Sequence, residues 1–196
     1  MSLATDGGQT PAQTIGPFFH DALMRDGVDD LDPGGDAGPA IEIVGRVVDG
    51  AGVPVTDAMI EVWQADGAGR YRHPVDGRRA DVPRSFIGFG RLATDHDGWF
   101  RLRTVRPGTV PGPDGTVQAP HLNVHVFARG LLDQLWTRMY LGDEAANDAD
   151  PVLAMVEPER RHTLIAEPTS HGDDGVTCYR FDIHLQGAHE TVFFAT

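Results

Sequence analysis

No stretch of this chain sustains the 3.6-residue apolar repeat of a long helix; its hydrophobic residues come in short alternating runs closed off by Gly and Pro, which number 24 and 14. Alternation with period two puts successive side chains on opposite faces, the mark of a strand with one buried side. Ile41 to Val48, Ala58 to Gln64, Phe86 to Ala93, Trp99 to Thr104, Leu122 to Ala128, Tyr179 to Leu185 and Thr191 to Phe194 all read this way. The first two, joined through the turn Asp49-Gly50-Ala51-Gly52, are expected to form a hairpin-like pair, with Met59, Glu61 and Trp63 on one face of the second strand and Ile60 and Val62 on the other. Helix is expected only as a short turn over Pro151 to Val156, capped by Asp150, because Pro suits the first helical position. Many short strands with Gly/Pro turns indicate an all-β sandwich or barrel.

Residues 1–40 differ in character from the rest of the chain. They are rich in Gly, Pro and Asp, and read as an extended arm preceding one β domain over 41–196. Within the arm, Thr14-Ile15-Gly16-Pro17-Phe18-Phe19 concentrates apolar surface that is costly to leave in water, so it is expected to dock on a partner. At 196 residues the chain has room for one core and no second domain.

The charge pattern narrows the function classes. A formal net charge of −13 argues against nucleic acid or an anionic membrane as partner. No apolar run approaches the roughly 20 residues needed to cross a bilayer. Met1 to Gln13 lacks the basic start and apolar stretch of a secretory signal, and the lone Cys178 suits a reducing compartment, so the cytoplasm is expected. All 16 basic residues are Arg, which excludes Schiff-base chemistry through lysine. Nine of them lie between Arg70 and Arg106, and with the five aspartates Asp66, Asp76, Asp81, Asp95 and Asp97 the window from Asp66 to Arg106 is about +4. Ion pairing across strands or with a neighbouring chain is favoured over a pocket for an anionic substrate.

Nine histidines invite a metal reading, but His20, His73, His96, His162, His171 and His189 stand singly in turns. His121 and His125 share a strand face with Asn123 between them, and an amide is a poor ligand for a transition metal. Tyr71 lies in an arginine-rich loop, Gly69-Arg70-Tyr71-Arg72-His73, whose positive charge is expected to lower the phenol pKa and favour tyrosinate. A plain anchoring aromatic is the competing reading. The chain has no zinc-type Cys/His framework, no phosphate-binding Gly loop after a strand and no Gly-x-Ser-x-Gly elbow.

Four blocks together resemble the intradiol catechol dioxygenases: Thr10 to His20, Glu61 to His73, Thr94 to Gly108, and Arg180 to Gly187 leading into Glu190 to Phe194. A fifth stretch, Ala128-Arg129-Gly130 with Thr137 to Tyr140 and Asp143 to Ala145, is similar to the α type of chain in the branch built from α and β chains. The resemblance implies an antiparallel β-sandwich with an extended N-terminal arm and little helix. It also implies a hetero-oligomer with a β chain, cleaving protocatechuate with O₂ to 3-carboxy-cis,cis-muconate.

In that family the catalytic chain holds a non-haem Fe(III) through two Tyr and two His. Carried over, those positions fall on Tyr71, on Val110, which has no donor atom, and near Asn123 and His125, so the α-type chain keeps a vestigial site and the Fe(III) is expected on the partner β chain. By the same resemblance Thr14, Gly16 and Pro17 line the partner's pocket, and Arg129, with Arg138 as the alternative, meets the substrate carboxylate. Two rival readings stay open at this point. One is a self-sufficient intradiol enzyme using Tyr71, His121 and His125 with Tyr140 or Tyr179, and the other is a non-catalytic transthyretin-like or carbohydrate-binding β-sandwich.

Overall fold

A computed structural model describes residues 23–24, 29–171 and 175–195. Its strands are β1 (Ala40–Val48), β2 (Met59–Gln64), β3 (Phe89–Ala93), β4 (Trp99–Val105), β5 (Val110–Pro111), β6 (Val117–Gln118), β7 (His121–Phe127), β8 (Leu135–Leu141), β9 (Ile165–His171), β10 (Thr177–Arg180) and β11 (Ile183–His184). What helix there is among the described residues beyond position 24 is 3₁₀, at 79–81, 113–115, 145–149, 153–155 and 158–164. The expected turn after Asp150 is present: its carboxylate accepts from Val152 N at 2.9 Å and Leu153 N at 2.7 Å.

The fold is mostly β, as expected, but its sheet is neither purely antiparallel nor divided into two separate layers. Strands run in the order β11-β1-β10-β9-β8-β7-β2-β3, with β4 also on β1, while β5 and β6 make a small ribbon apart. Three pairings, β1 with β10, β1 with β11 and β8 with β9, are parallel. Continuity comes from β9. Its first residues pair with β8 (Tyr140↔Ile165, Leu141↔Ala166), and its later ones pair with β10 (Glu167↔Arg180, Pro168↔Tyr179). One strand thus carries the hydrogen-bond ladder from one half to the other, and the sheet curls around a shared core of Ile41, Ile43, Val47, Ile60, Leu102, Leu122 and Tyr179.

The expected pairing of β1 with β2 does not occur. The Asp49 turn forms, with Asp49 N bonded to Val53 O at 2.9 Å and Gly52 N to Asp49 O at 3.1 Å, but the chain then leaves for the other half of the sheet. The flank of β1 is occupied by β4 over seven residue pairs, Ala40↔Val105 to Arg46↔Trp99, and β2 pairs with β3 and β7 instead. A longer register outcompetes a nearer neighbour. The two halves are also tied through the buried Gln64. Its amide donates to Ala65 O and Val105 O at 3.0 Å each, and accepts from Thr104 Oγ1 at 2.7 Å.

The arginine-rich window is largely neutralised by its own chain, the favoured reading: Arg70 pairs with Asp66, Arg78 with Asp76, Arg91 with Glu61, Arg101 with Glu42, and Arg106 with Asp143 and Glu144. Residues 29–37 pack on the sheet, where Leu31 is buried and its N–H bonds to Arg103 O at 3.0 Å.

Candidate functional site

On β7, Leu122, Val124 and Val126 point into the core, so His121, Asn123 and His125 share the opposite face of the sheet, as their spacing requires, with His121 buried there and the other two half-exposed. Register then assembles a patch. Asn123 stands opposite Trp63 on β2 and Arg138 on β8; His125 stands opposite Glu61 and Trp136; His121 stands opposite Tyr140.

Two glycine-bearing loops lie over this face. Asp66, fully buried, accepts from Ala68 N at 3.0 Å and Arg70 N at 2.9 Å and binds the Arg70 guanidinium, which winds the 66–70 segment into a tight turn. Gly69 closes that turn at φ +71°, and a Cβ there would sit 1.8 Å from Thr109 O. Gly108 N donates to Asp66 O at 2.9 Å, so the two loops lock backbone to backbone, and Tyr71 and Val110 line one cavity. Asp76 fastens the next turn: it accepts from Tyr71 N at 2.9 Å and from Arg78 N at 2.8 Å, and Arg78's guanidinium holds its carboxyl well below the usual range, at about 2.

The result is a cavity of about 500 Å³ lined by Trp63, Tyr71, His73, Val110, Pro111 and Asn123, among others. Trp63 meets the Tyr71 ring edge-on at 5.5 Å and the His73 ring at 5.4 Å. The structure therefore brings together Tyr71, Val110 and Asn123, three of the positions expected at the vestigial site, while His125 does not line the cavity. His125 packs against Trp136, ring centres 6.5 Å apart; burial lowers its pKa, with Glu61 opposing.

Tyr71 departs from expectation. Burial raises its pKa, outweighing Arg138 and the Asn123 hydrogen bond, which lower it. Its flanking arginines contribute little, because Arg70 is spent on Asp66 and Arg72 donates to the carbonyls of Arg84 and Phe86 at 2.5 and 2.9 Å. The phenol is thus held neutral rather than as tyrosinate.

Behind the cavity, His121 is buried with Nδ1 2.7 Å from Ala119 O, and burial together with Arg138 pushes its pKa down to about 4. Tyr140 donates to Asp150 at 3.0 Å, and Tyr179, in the other half of the sheet, lies between Arg106 at 2.6 Å and Asp143 at 3.0 Å. Both hydroxyls are engaged elsewhere in the fold, which removes support from a self-sufficient ligand set built on them. Among the described residues no three His, Cys, Asp or Glu side chains converge as a metal group. Besides Tyr71 and the Asn123 amide the cavity is lined by His73, whose Nδ1 accepts from Val75 N at 3.3 Å, and by Asp76, which is bound to Arg78; with Val110 offering no donor, this set does not fit ferric iron.

Arg129 lies past the end of β7, in a turn closed by Gly130 at φ +88°, largely exposed and paired with Asp57. Arg138, half-buried and opposite Asn123 on the neighbouring strand, donates to Gln118 Oε1 at 2.7 Å. Thr14, Gly16 and Pro17 lie outside the described residues. His73 stands alone in sequence, and only the loop fold carries its ring to Trp63; its place two residues after Tyr71 was the available signal.

Residues 15–187 match the family described as "Dioxygenase". The chain belongs to the intradiol dioxygenase family. Within it the sequence is 42% identical to the protocatechuate 3,4-dioxygenase alpha chain of Pseudomonas putida, over 95% of this chain and 96% of that one. It is 44% identical to the alpha chain of Burkholderia cepacia, with the same coverage of 95% and 96%. The beta chain of Burkholderia cepacia is 34% identical, over 92% of this chain and 77% of its own. Among solved structures, the dioxygenase domain of a carbohydrate-binding fusion protein from Streptomyces sp. SirexAA-E superimposes with a TM-score of 0.62 at 27% identity, over 92% of this chain and 100% of that one. Catechol 1,2-dioxygenase from Acinetobacter sp. ADP1 gives 0.65 at 23% identity, over 79% of this chain and 55% of that enzyme, a likeness of fold. No helix among the described residues of this intradiol-family chain is long and apolar enough to cross a membrane.

Proposed function

We propose that this chain is the α-type subunit of a cytoplasmic protocatechuate 3,4-dioxygenase, paired with a β chain that holds the Fe(III). The observation that carries this reading is the cavity over β7, where Tyr71, Val110 and Asn123 stand together without the donors a ferric ion needs. The closer likeness to alpha chains than to a beta chain supports it. The chain's contribution is then to the partner's pocket: Thr14, Gly16 and Pro17 shape its wall, and Arg129 meets the substrate carboxylate. Arg129 suits that role because it is exposed, permanently charged and, among the described residues, paired with the carboxylate of Asp57, a pairing open enough to water to be exchanged for a substrate carboxylate.

Co-expression with a β-type chain, followed by iron analysis of the separated chains, tests the assignment: iron is expected with the β chain alone. A red-brown, iron-loaded chain that turns over catechols without a partner would overturn it. In the assembled enzyme, Arg129→Ala is expected to raise KM for protocatechuate about tenfold or more while sparing catechol, since a charge-assisted pair is worth roughly 1.5 to 3 kcal/mol. Equal effects on the two substrates would dismiss the contact.

A further inference from the structure

We propose that the Tyr71 cavity binds a planar aromatic carboxylate, held by this chain itself and not turned over there. Its volume of about 500 Å³ is in the range of small-molecule sites, and it admits a single-ring ligand with room to spare. Three of its walls are the rings of Trp63, Tyr71 and His73, and Val110 and Pro111 extend the apolar lining. Trp63 keeps 42% of its surface exposed in a place where rings already cluster, leaving aromatic surface for a flat guest.

Charge selects the acid. Arg78 at the rim is already neutralised by Asp76. Arg138, the cross-strand neighbour of Asn123, is not: its hydrogen bonds go to the neutral Gln118 and Tyr140, its Nε is buried without a partner, and among the described residues it has no ion pair. A sheltered cation without a counter-charge favours an anion entering beside it. The Asn123 amide, which lines the cavity and stands opposite Arg138 across the strand pair, donates to Trp63 O at 3.4 Å, a long bond that a carboxylate oxygen can replace. A neutral ring would leave Arg138 unmatched, and an aliphatic acid would waste the aromatic walls. This assignment stands apart from the partner reading: a chain that pairs with no β chain can still bind the acid, and one that pairs can fail to.

Calorimetric titration of the full-length chain with benzoate tests it, beside benzamide and cyclohexanecarboxylate. Benzoate is expected to bind saturably at one site per chain, with both controls about tenfold weaker or more. Val110→Phe, which fills the cavity, is expected to abolish binding while unfolding remains cooperative. Arg138→Gln is expected to erase the preference for benzoate over benzamide, a readout that holds even where Val110→Phe does not fold. The proposal is overturned by the lack of saturable binding at about 10 mM benzoate, by equal affinity for acid and amide, or by undiminished binding to a folded Val110→Phe protein.

Discussion

His121 is the residue whose protonation the fold most restricts. Its pKa lies near 4 in the folded chain against 6.5 for a free histidine, so at pH 7 both states are neutral and nothing is lost. As pH falls below about 6.5 the unfolded chain takes up a proton that the folded chain refuses. Stability therefore declines with falling pH until the folded residue titrates near 4, by at most roughly 3 kcal/mol. Thermal unfolding of the wild type between pH 7 and 4.5 should show a steeper loss than that of His121→Gln, and parallel curves would mean that His121 is not the source of the decline. Asp150 gives a second expectation, since it accepts from Ala119 N, Val152 N, Leu153 N and the Tyr140 hydroxyl. Asp150→Ala strands these groups and should cost at least about 3 kcal/mol in chemical denaturation.

Elements in this protein are positioned by close backbone approach as much as by side-chain packing. In β1, a Cβ on Gly45 would lie 1.9 Å from Phe181 O and 2.4 Å from the Phe100 ring, so the strand can accept the β10 to β11 link only with glycine there. The loop carrying Tyr71 depends on Gly69 in the same way, with a positive φ in addition. Gly69→Ala should destabilise the chain by about 1 to 3 kcal/mol and, because the loop must lift from Thr109, should shift Trp63 emission as Tyr71 moves away. Unchanged emission at reduced stability would mean that the strain is absorbed elsewhere. Much of this was legible in advance. The alternation of Met59 to Gln64 and of Leu122 to Ala128 assigned the faces on which Trp63 and Asn123 stand, and the Asp150 cap was read from Pro151. The pairing of β1 with β4 was not legible, since adjacency in sequence favoured β2 and only the competing register of seven pairs decides it.

At the scale of the molecule, the curled sheet carries its own core, and residues 29–37 already pack upon it. The residues before 29, which include Thr14, Gly16 and Pro17, are assigned to assembly as part of the proposed arm. Their removal should leave the circular dichroism spectrum and cooperative unfolding in place while abolishing co-purification with a β-type chain; a truncated chain that still pairs would move the docking role to another surface.

The sequence by itself determined several strands, β1, β2, β4 and β7 among them, with the side of each that is buried, and the family; it did not reveal β8 or β9, and Thr191 to Phe194, expected as a strand, forms only a bridge from Phe194 to Trp136. The strands and their faces follow from local periodicity, which needs no knowledge of distant neighbours, and the family from the resemblance of its sequence blocks. Tertiary structure alone decided that β9 joins both halves into one curled sheet, that His125 stands outside the cavity while His73 enters it, and that Tyr71 stays protonated. The reason is physical: strand pairing and desolvation depend on groups far apart in the chain. The arginines beside Tyr71 are close in sequence but bound elsewhere, whereas the burial that raises its pKa exists only once the loops have folded over β7.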